Sequence, residues 1–120
     1  MPSPRILIAD DEKDIRDLFM DSLQPHGFDV QAAKDGRQAI DIIQNGHIDI
    51  VFLDIRMPGL NGVDILREIK QTKPETHVVM ITGHCDDAQV HEALDLGSFL
   101  CLIKPFKVHD LLGLIDVLQS

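Results

Sequence analysis

Continuously apolar runs recur along this chain, separated by longer segments of mixed polarity. Runs of this kind are typical of strands that are covered on both faces of a parallel sheet. Four of them are Ile6–Ala9, Ile50–Leu53, Val78–Ile81 and Phe99–Ile103. A more polar run, Phe28–Ala33, predicts one further strand, at an edge of the sheet.

The segments between these runs predict helices. Apolar residues recur three and four positions apart in each segment, which gives each helix one apolar side. Turn-forming residues end the first four helices at Pro25–Gly27, Asn45–Gly46, Lys73–Pro74 and Gly97. The apolar positions are Ile15, Leu18, Phe19 and Leu23; Gly36, Ala39, Ile40 and Ile43; Gly62, Ile65, Leu66 and Ile69; Val90, Ala93 and Leu94; and Val108, Leu111, Leu112, Ile115 and Leu118.

The regular alternation of strand and helix predicts an α/β fold. Parallel strands joined by right-handed crossovers place helices on both faces of the sheet. The expected architecture is a doubly wound, five-stranded parallel sheet in a three-layer sandwich. With 120 residues, of which 44% are hydrophobic, we expect a single domain over residues 1–120.

Charge and cysteine content narrow the expected partners and location. A net charge of −9 repels polyanions, so we expect no direct binding to nucleic acid or membranes and favour basic partners. Cys85 and Cys101 are expected to be reduced thiols rather than a disulfide bridge. We find neither a leader segment nor an apolar run of membrane-spanning length, which predicts a soluble cytoplasmic protein.

Acidic residues follow two of the predicted strands. Asp10 and Asp11 follow the first, and Asp54 follows the third. They would meet if these strands were neighbours, as in the sheet order 2-1-3-4-5. Carboxylates that lie close together repel, so such a cluster takes up a proton or binds a cation, and an exposed all-oxygen site suits Mg²⁺.

Each of these residues also has a simpler interpretation. Asp10, Asp11 and Glu12 are typical of an acidic helix start, but Asp54 precedes a turn, so capping does not explain it. A carboxylate at this position can attack phosphorus to form an acyl phosphate. Thr82 and Lys104 would supply a hydroxyl and a positive charge for the phosphoryl oxygens. Taken alone, Thr82 is also typical of a turn and Lys104 of a solvated strand end.

The order and spacing of these residues resemble the receiver domain of two-component response regulators. The resemblance extends from Arg5 to Leu118 and implies the flavodoxin-like fold with sheet order 2-1-3-4-5. Four motifs carry it: Ile8-Ala9-Asp10-Asp11-Glu12, Leu53-Asp54-Ile55-Arg56-Met57-Pro58-Gly59-Leu60-Asn61-Gly62, Ile81-Thr82-Gly83 and Lys104-Pro105-Phe106.

The resemblance implies a phosphoryl acceptor that works with Mg²⁺. Asp54 would accept the phosphoryl group from a sensor histidine kinase or a phosphotransfer protein. Besides Asp54, the metal ligands would be Asp11 directly, Asp10 mainly through water, and the backbone carbonyl of Arg56. Such a domain is not a classical enzyme, although it promotes its own phosphorylation and dephosphorylation.

The resemblance also implies how the signal leaves the site. Thr82 would be the switch hydroxyl, and Lys104, before a cis bond to Pro105, would pair with the phosphoryl oxygens. The family usually carries an aromatic residue where this chain has Cys101, so the coupling of threonine to an aromatic ring is in question. Phe99, on the same strand face, is a candidate substitute.

Two positions that flank the path of attacking water in the family hold Arg56 and His84. We expect these bulky side chains to slow hydrolysis of the acyl phosphate, and a base role for His84 is the alternative. An unchanged half-life of the acyl phosphate in His84→Ala would contradict both.

Other functions remain as alternatives. One is a phosphate-independent interaction module with the same fold. A phosphatase of the haloacid-dehalogenase type needs an acidic residue at the position of Arg56. In an FMN-binding protein, the phosphate of FMN would be repelled by Asp10 and Asp11. For the leading interpretation, downstream output domains or proteins would contact the fourth helix, fifth strand and fifth helix. A homodimer through the fourth and fifth helices, involving Leu114 and Val117, competes with simple packing at the edge of the core.

Overall fold

The computed structural model describes residues 4–55, 57, 61–83, 87–98 and 100–119. Within them, strands and helices alternate as the sequence predicts, and no helix is long and apolar enough to cross a membrane. The strands are β1 (Arg5–Ala9), β2 (Asp29–Ala33), β3 (Ile50–Asp54), β4 (His77–Thr82) and β5 (Leu100–Ile103). The helices are α1 (Lys13–Leu23), α2 (Gly36–Asn45), α3 (Gly62–Thr72), α4 (Asp87–Asp95) and α5 (Val108–Gln119), with a 3₁₀ turn at Gln24–His26 after α1.

The strands form one parallel sheet with the order β2-β1-β3-β4-β5. This confirms the predicted order, and β2 is an edge strand as expected. In the register of the two neighbouring central strands, Ala9 of β1 lies opposite Leu53 of β3. The residues that follow this pair, Asp10 and Asp54, therefore lie side by side at the carboxyl edge of the sheet.

Alternate side chains of the strands enter two separate cores. Leu7 and Ala9 pack with side chains of α2, α3 and α4 on one face of the sheet. Ile6 and Ile8 pack with α1 and α5 on the other face. All of these β1 side chains are completely buried, which explains why the run has no polar position. The doubly wound, three-layer fold is confirmed.

The structure differs from the sequence pattern in a few places. β3 and β4 extend one residue further than their apolar runs, so Asp54 and Thr82 are the last residues of their strands. Leu94, expected on the apolar side of α4, is 42% exposed. On α5, Leu114 is partly buried and packs against the core between α1 and α5, whereas Val117 is 57% exposed.

One glycine allows α3 to begin directly beneath the end of β3. A Cβ atom at Gly62 would lie 2.6 Å from the carbonyl oxygen of Asp54 and 2.7 Å from Cα of Ile55. The Gly62 amide donates to the Ile55 carbonyl at 3.0 Å, and the Asn61 side chain accepts from the Val63 amide. Only a residue without a side chain permits this approach, which fixes the backbone of Asp54.

Gly62→Ala is therefore expected to destabilise the fold by about 1–3 kcal/mol, because the methyl group meets backbone rather than a movable side chain. Gly113→Ala is the matched control, since a Cβ atom there meets nothing within 4 Å. It should raise stability by about 0.5–1 kcal/mol through helix propensity. Urea denaturation of both variants measures the difference, and equal free energies of unfolding would contradict the steric argument.

Candidate functional site

Carboxylates at the ends of two neighbouring strands converge at the carboxyl edge of the sheet. Asp10, Asp11 and Asp54 each offer an oxygen, and these oxygens lie within 4.8 Å of one another. Asp10 is completely buried and Asp54 is 5% exposed, while Asp11 faces solvent. The adjacency of β1 and β3 creates this cluster, as the sheet order requires.

The backbone and side chain of Asp10 are held from several directions. Its amide donates to the carbonyl of Ala33 at 3.1 Å, and its carbonyl accepts from Nη1 of Arg16 at 2.9 Å. Its Oδ1 accepts from the amide of Glu12 at 2.9 Å. Its Oδ2 is buried and has no hydrogen-bond partner of good geometry among the described residues. A buried carboxylate oxygen of this kind needs a cation to compensate its lost hydration.

Lys104 provides one such cation. Its Nζ lies 3.0 Å from Oδ2 of Asp10, in ion-pair range although outside hydrogen-bond geometry. The same ammonium lies 3.2 Å from Oε2 of Glu12 and 3.5 Å from Oδ2 of Asp54. Lys104 thus balances part of the negative charge that the fold collects here.

The electrostatics of the site keep this ammonium charged. Burial by itself lowers the pKa of Lys104, but the neighbouring carboxylates of Asp10, Asp54 and Glu12 outweigh burial and raise the pKa above its usual value. Lys104 is consequently a permanent cation at neutral pH. Its side chain is 17% exposed, so little water screens its charge.

Thr82 lies at the end of the neighbouring strand. It is 2% exposed and stands opposite Ile103 in the β4–β5 register. Its carbonyl accepts from the amide of Lys104 at 2.7 Å, and the bond between Lys104 and Pro105 is cis, as expected. The threonine backbone is thereby tied directly to the residue that carries the positive charge.

The residues present fit a small divalent cation. The ligands are all carboxylate oxygens, one of them buried without a hydrogen-bond donor, and Asp11 leaves the cluster open to solvent. Mg²⁺ prefers such oxygen ligands and retains several waters. The expected backbone ligand at Arg56 lies outside the described residues, as do His84, Cys85 and Phe99.

The structure adds features that sequence reasoning missed. The sequence indicates Glu12 only as part of an acidic helix start, yet its side chain hydrogen-bonds to Lys104. Arg16 holds the backbone of Asp10, and no sequence motif indicated this contact. Cys101 is half-buried against the core cluster on the α4 side of the sheet, opposite Met80 of β4. It occupies the strand position at which the resemblance implies an aromatic residue.

Similar proteins agree with this architecture. The sequence profile described as response regulator receiver domain matches residues 6–116. Regulatory protein AtoC of Escherichia coli is 36% identical over 107 residues, which cover 89% of this chain and 23% of AtoC. Response regulator MprA of Mycolicibacterium vanbaalenii is 34% identical over 109 residues, which cover 91% of this chain and 47% of MprA. The chain spans less than half the length of these curated relatives.

Solved structures show the same likeness over the whole fold. A response regulator receiver domain protein (CheY-like) from Methanospirillum hungatei aligns with a TM-score of 0.92 and 26% identity, covering 98% of this chain and 97% of that one. NtrX from Brucella abortus aligns with a TM-score of 0.90 and 36% identity, covering 97% of this chain and 27% of NtrX. With this fold, this acidic edge and a profile match over most of its length, the chain belongs to the family of response regulator receiver domains.

Proposed function

We propose that the chain accepts a phosphoryl group on Asp54 from a histidine kinase or phosphotransfer protein. The observation that carries the proposal is the convergence of Asp10, Asp11 and Asp54 around one point, with the Lys104 ammonium 3.5 Å from Oδ2 of Asp54. Capping of a helix does not require this arrangement. A phosphoryl group, which brings negative charge to the site, does require the cation there.

The transfer needs little beyond position and charge. The Asp54 carboxylate attacks phosphorus, a P–O bond to Asp54 forms, and the P–N bond to the donor histidine breaks, leaving the electron pair on the imidazole. No general base is needed, because the nucleophile carries no proton to remove. Lys104 lowers the repulsion between this carboxylate and the incoming phosphoryl oxygens.

We propose Mg²⁺ as the cofactor, held by Asp10, Asp11 and Asp54 together with the carbonyl of Arg56. When bound, it neutralises phosphoryl and carboxylate charge. The buried Oδ2 of Asp10 supports this assignment, because an ion would give it the partner that its hydrogen-bond geometry lacks. A domain of this kind promotes its own phosphorylation and dephosphorylation without being a classical enzyme.

The proposed output begins at Thr82. Its hydroxyl would move toward the phosphoryl group, and its backbone bond to Lys104 links that movement to β5. Three exposed apolar side chains lie on α4, β5 and α5, namely Leu94, Ile103 and Val117. They support binding of an output domain, another protein or a second copy of the chain to these elements. With Cys101 on the inner strand position, the backbone carries most of this signal.

The remaining expectations stay predictions. They are one receiver domain over residues 1–120, a cytoplasmic location, and the absence of nucleic acid and membrane as direct partners. The phosphate-independent module is the alternative function. It is not favoured, because such a module gains nothing from burying Asp10 and Asp54 beside each other.

Incubation with a small acyl phosphate and Mg²⁺ tests the acceptor. The wild-type chain should gain the mass of one phosphoryl group, Asp54→Asn should gain none, and the exposed Asp41→Asn should behave as wild type. Intact-protein mass spectrometry measures the gain. An unmodified wild-type chain would favour the phosphate-independent module, and full modification of Asp54→Asn would place the acceptor elsewhere.

Lys104→Met should lower the free energy of unfolding by about 1–3 kcal/mol without divalent ions, because buried carboxylates lose their cation. Mg²⁺ should recover part of this loss. Since the folded pKa of Lys104 is raised, its contribution is full below the unfolded pKa, about 10.4, and disappears as pH rises through the folded value. Urea denaturation of both chains between neutral and alkaline pH measures the difference, and a difference independent of pH would contradict the ion pairs.

Thr82→Ala should still be phosphorylated but should lose most of the conformational response. Removing the hydroxyl leaves Asp54 and Lys104 in place, whereas Thr82→Ser retains a hydroxyl and should respond. Amide chemical shifts of α4 and β5, recorded before and after addition of the acyl phosphate, measure the response. Equal shift changes in all three chains would show that Thr82 has no part in the switch.

A further inference from the structure

Glu12 makes a contact that its place in the helix does not explain. It is the N-cap residue of α1, but its side chain forms no capping hydrogen bond. Instead its Oε2 accepts from Nζ of Lys104 at 3.2 Å, across 92 positions of sequence. The turn that carries it is fixed, because the Glu12 amide donates to Oδ1 of Asp10. The side chain is thus aimed at the ammonium of the proposed phosphoryl site.

The ammonium of Lys104 is shared among several carboxylates: it donates a hydrogen bond to Glu12 and forms an ion pair with Asp10 outside hydrogen-bond geometry. It carries three N–H groups, and three carboxylates surround it within 3.5 Å: Asp10, Glu12 and Asp54. A phosphoryl oxygen on Asp54 therefore needs one of these places. Because the phosphoryl group would be a fourth anionic group around three N–H groups, its contact must replace a carboxylate contact.

Burial decides which contact is given up. The Asp10 side chain is completely buried, so water cannot replace the ammonium there. The Glu12 side chain is 60% exposed, and water can replace its partner at small cost. Asp54 itself carries the new group. The contact with Glu12 is consequently the one that is easiest to release.

We propose that Glu12 is a positioning residue that holds Lys104 in the unphosphorylated state and gives it up to the phosphoryl group. The inference rests on the proposed function of Asp54. Glu12 then opposes phosphorylation, since its contact with Lys104 is lost when the phosphoryl contact forms. The size of this opposition is that of an exposed ion pair, which corresponds to roughly two- to fivefold in an equilibrium.

The test compares variants that separate this contact from charge in general. Glu12→Asp keeps the charge but is one methylene shorter, so it loses the contact. Asp14→Asn, in the first turn of the same helix, removes a charge at a residue that forms no described ion pair with Lys104. At a fixed acyl phosphate concentration with saturating Mg²⁺, Glu12→Asp should raise the ratio of phosphorylated to unphosphorylated chain roughly two- to fivefold. Asp14→Asn should leave the ratio unchanged.

A second measurement observes Lys104 without any donor. In chains with ¹⁵N-labelled lysine side chains, the Nζ signal of Lys104 is assigned by its absence from Lys104→Met. Glu12→Asp should shift this signal, whereas Asp14→Asn should not. A purely structural role of Glu12 in starting α1 would move the thermal stability but not this signal.

The outcomes distinguish the two proposals. A wild-type chain that gains no phosphoryl group contradicts the proposed function, and the Nζ signal then still reports whether Glu12 holds Lys104. A wild-type chain that is phosphorylated while Glu12→Asp matches it in ratio or in Nζ signal overturns the role of Glu12. An equal rise in Asp14→Asn overturns it as well, because the effect would then come from net charge.

Discussion

The site depends on the repulsion between carboxylates that the fold holds together. Two unit charges 4 Å apart interact by about 4 kcal/mol at an effective dielectric constant near 20, and Asp10 is shielded from water altogether. Lys104 offsets part of this cost, and the pKa of its ammonium is raised by the same carboxylates. The remaining negative charge makes this edge of the sheet suited to a divalent cation, and to a phosphoryl group that binds together with such a cation.

Such a cluster is stable only because the surrounding framework is rigid. β1 and β3 are buried on both faces, and their hydrogen-bonded register prevents Asp10 and Asp54 from moving apart. Gly62 brings α3 against the backbone of Asp54 so closely that the strand end cannot shift toward the helix. Packing energy from the two apolar cores therefore sustains an arrangement that electrostatics alone would disperse.

The interactions of Lys104 give the site its sensitivity. One ammonium is shared between two buried carboxylates, Asp10 and Asp54, and the exposed carboxylate of Glu12, and water replaces the ammonium most readily at the exposed one. In the proposed function, phosphorylation of Asp54 would redistribute that ammonium. The backbone hydrogen bond between Lys104 and Thr82 would then convey the redistribution to β4 and β5.

The sequence alone determined where the strands and helices form and which residues are candidates for the chemistry. Apolar periodicity is a local property, and it located β1 and α3 within a residue or two because their buried faces admit no polar side chain. The motif residues Asp54, Thr82 and Lys104 were likewise visible, since each ends an apolar run. The prediction that Leu94 lies on the buried side of α4 was wrong, because α4 is short and its apolar pattern is too weak to predict which side chains are exposed.

Only the tertiary structure decided which groups meet. Sequence spacing does not show that Asp10 is buried. It also does not show that Arg16 donates to the carbonyl of Asp10 or that Glu12 accepts from Lys104, because neither partner can be identified from the sequence. The energies of these contacts depend on distance and on access to water, and both are set when strands from distant parts of the chain pair. The sequence therefore indicates which residues are candidates for the chemistry, and the tertiary structure decides which charges surround them.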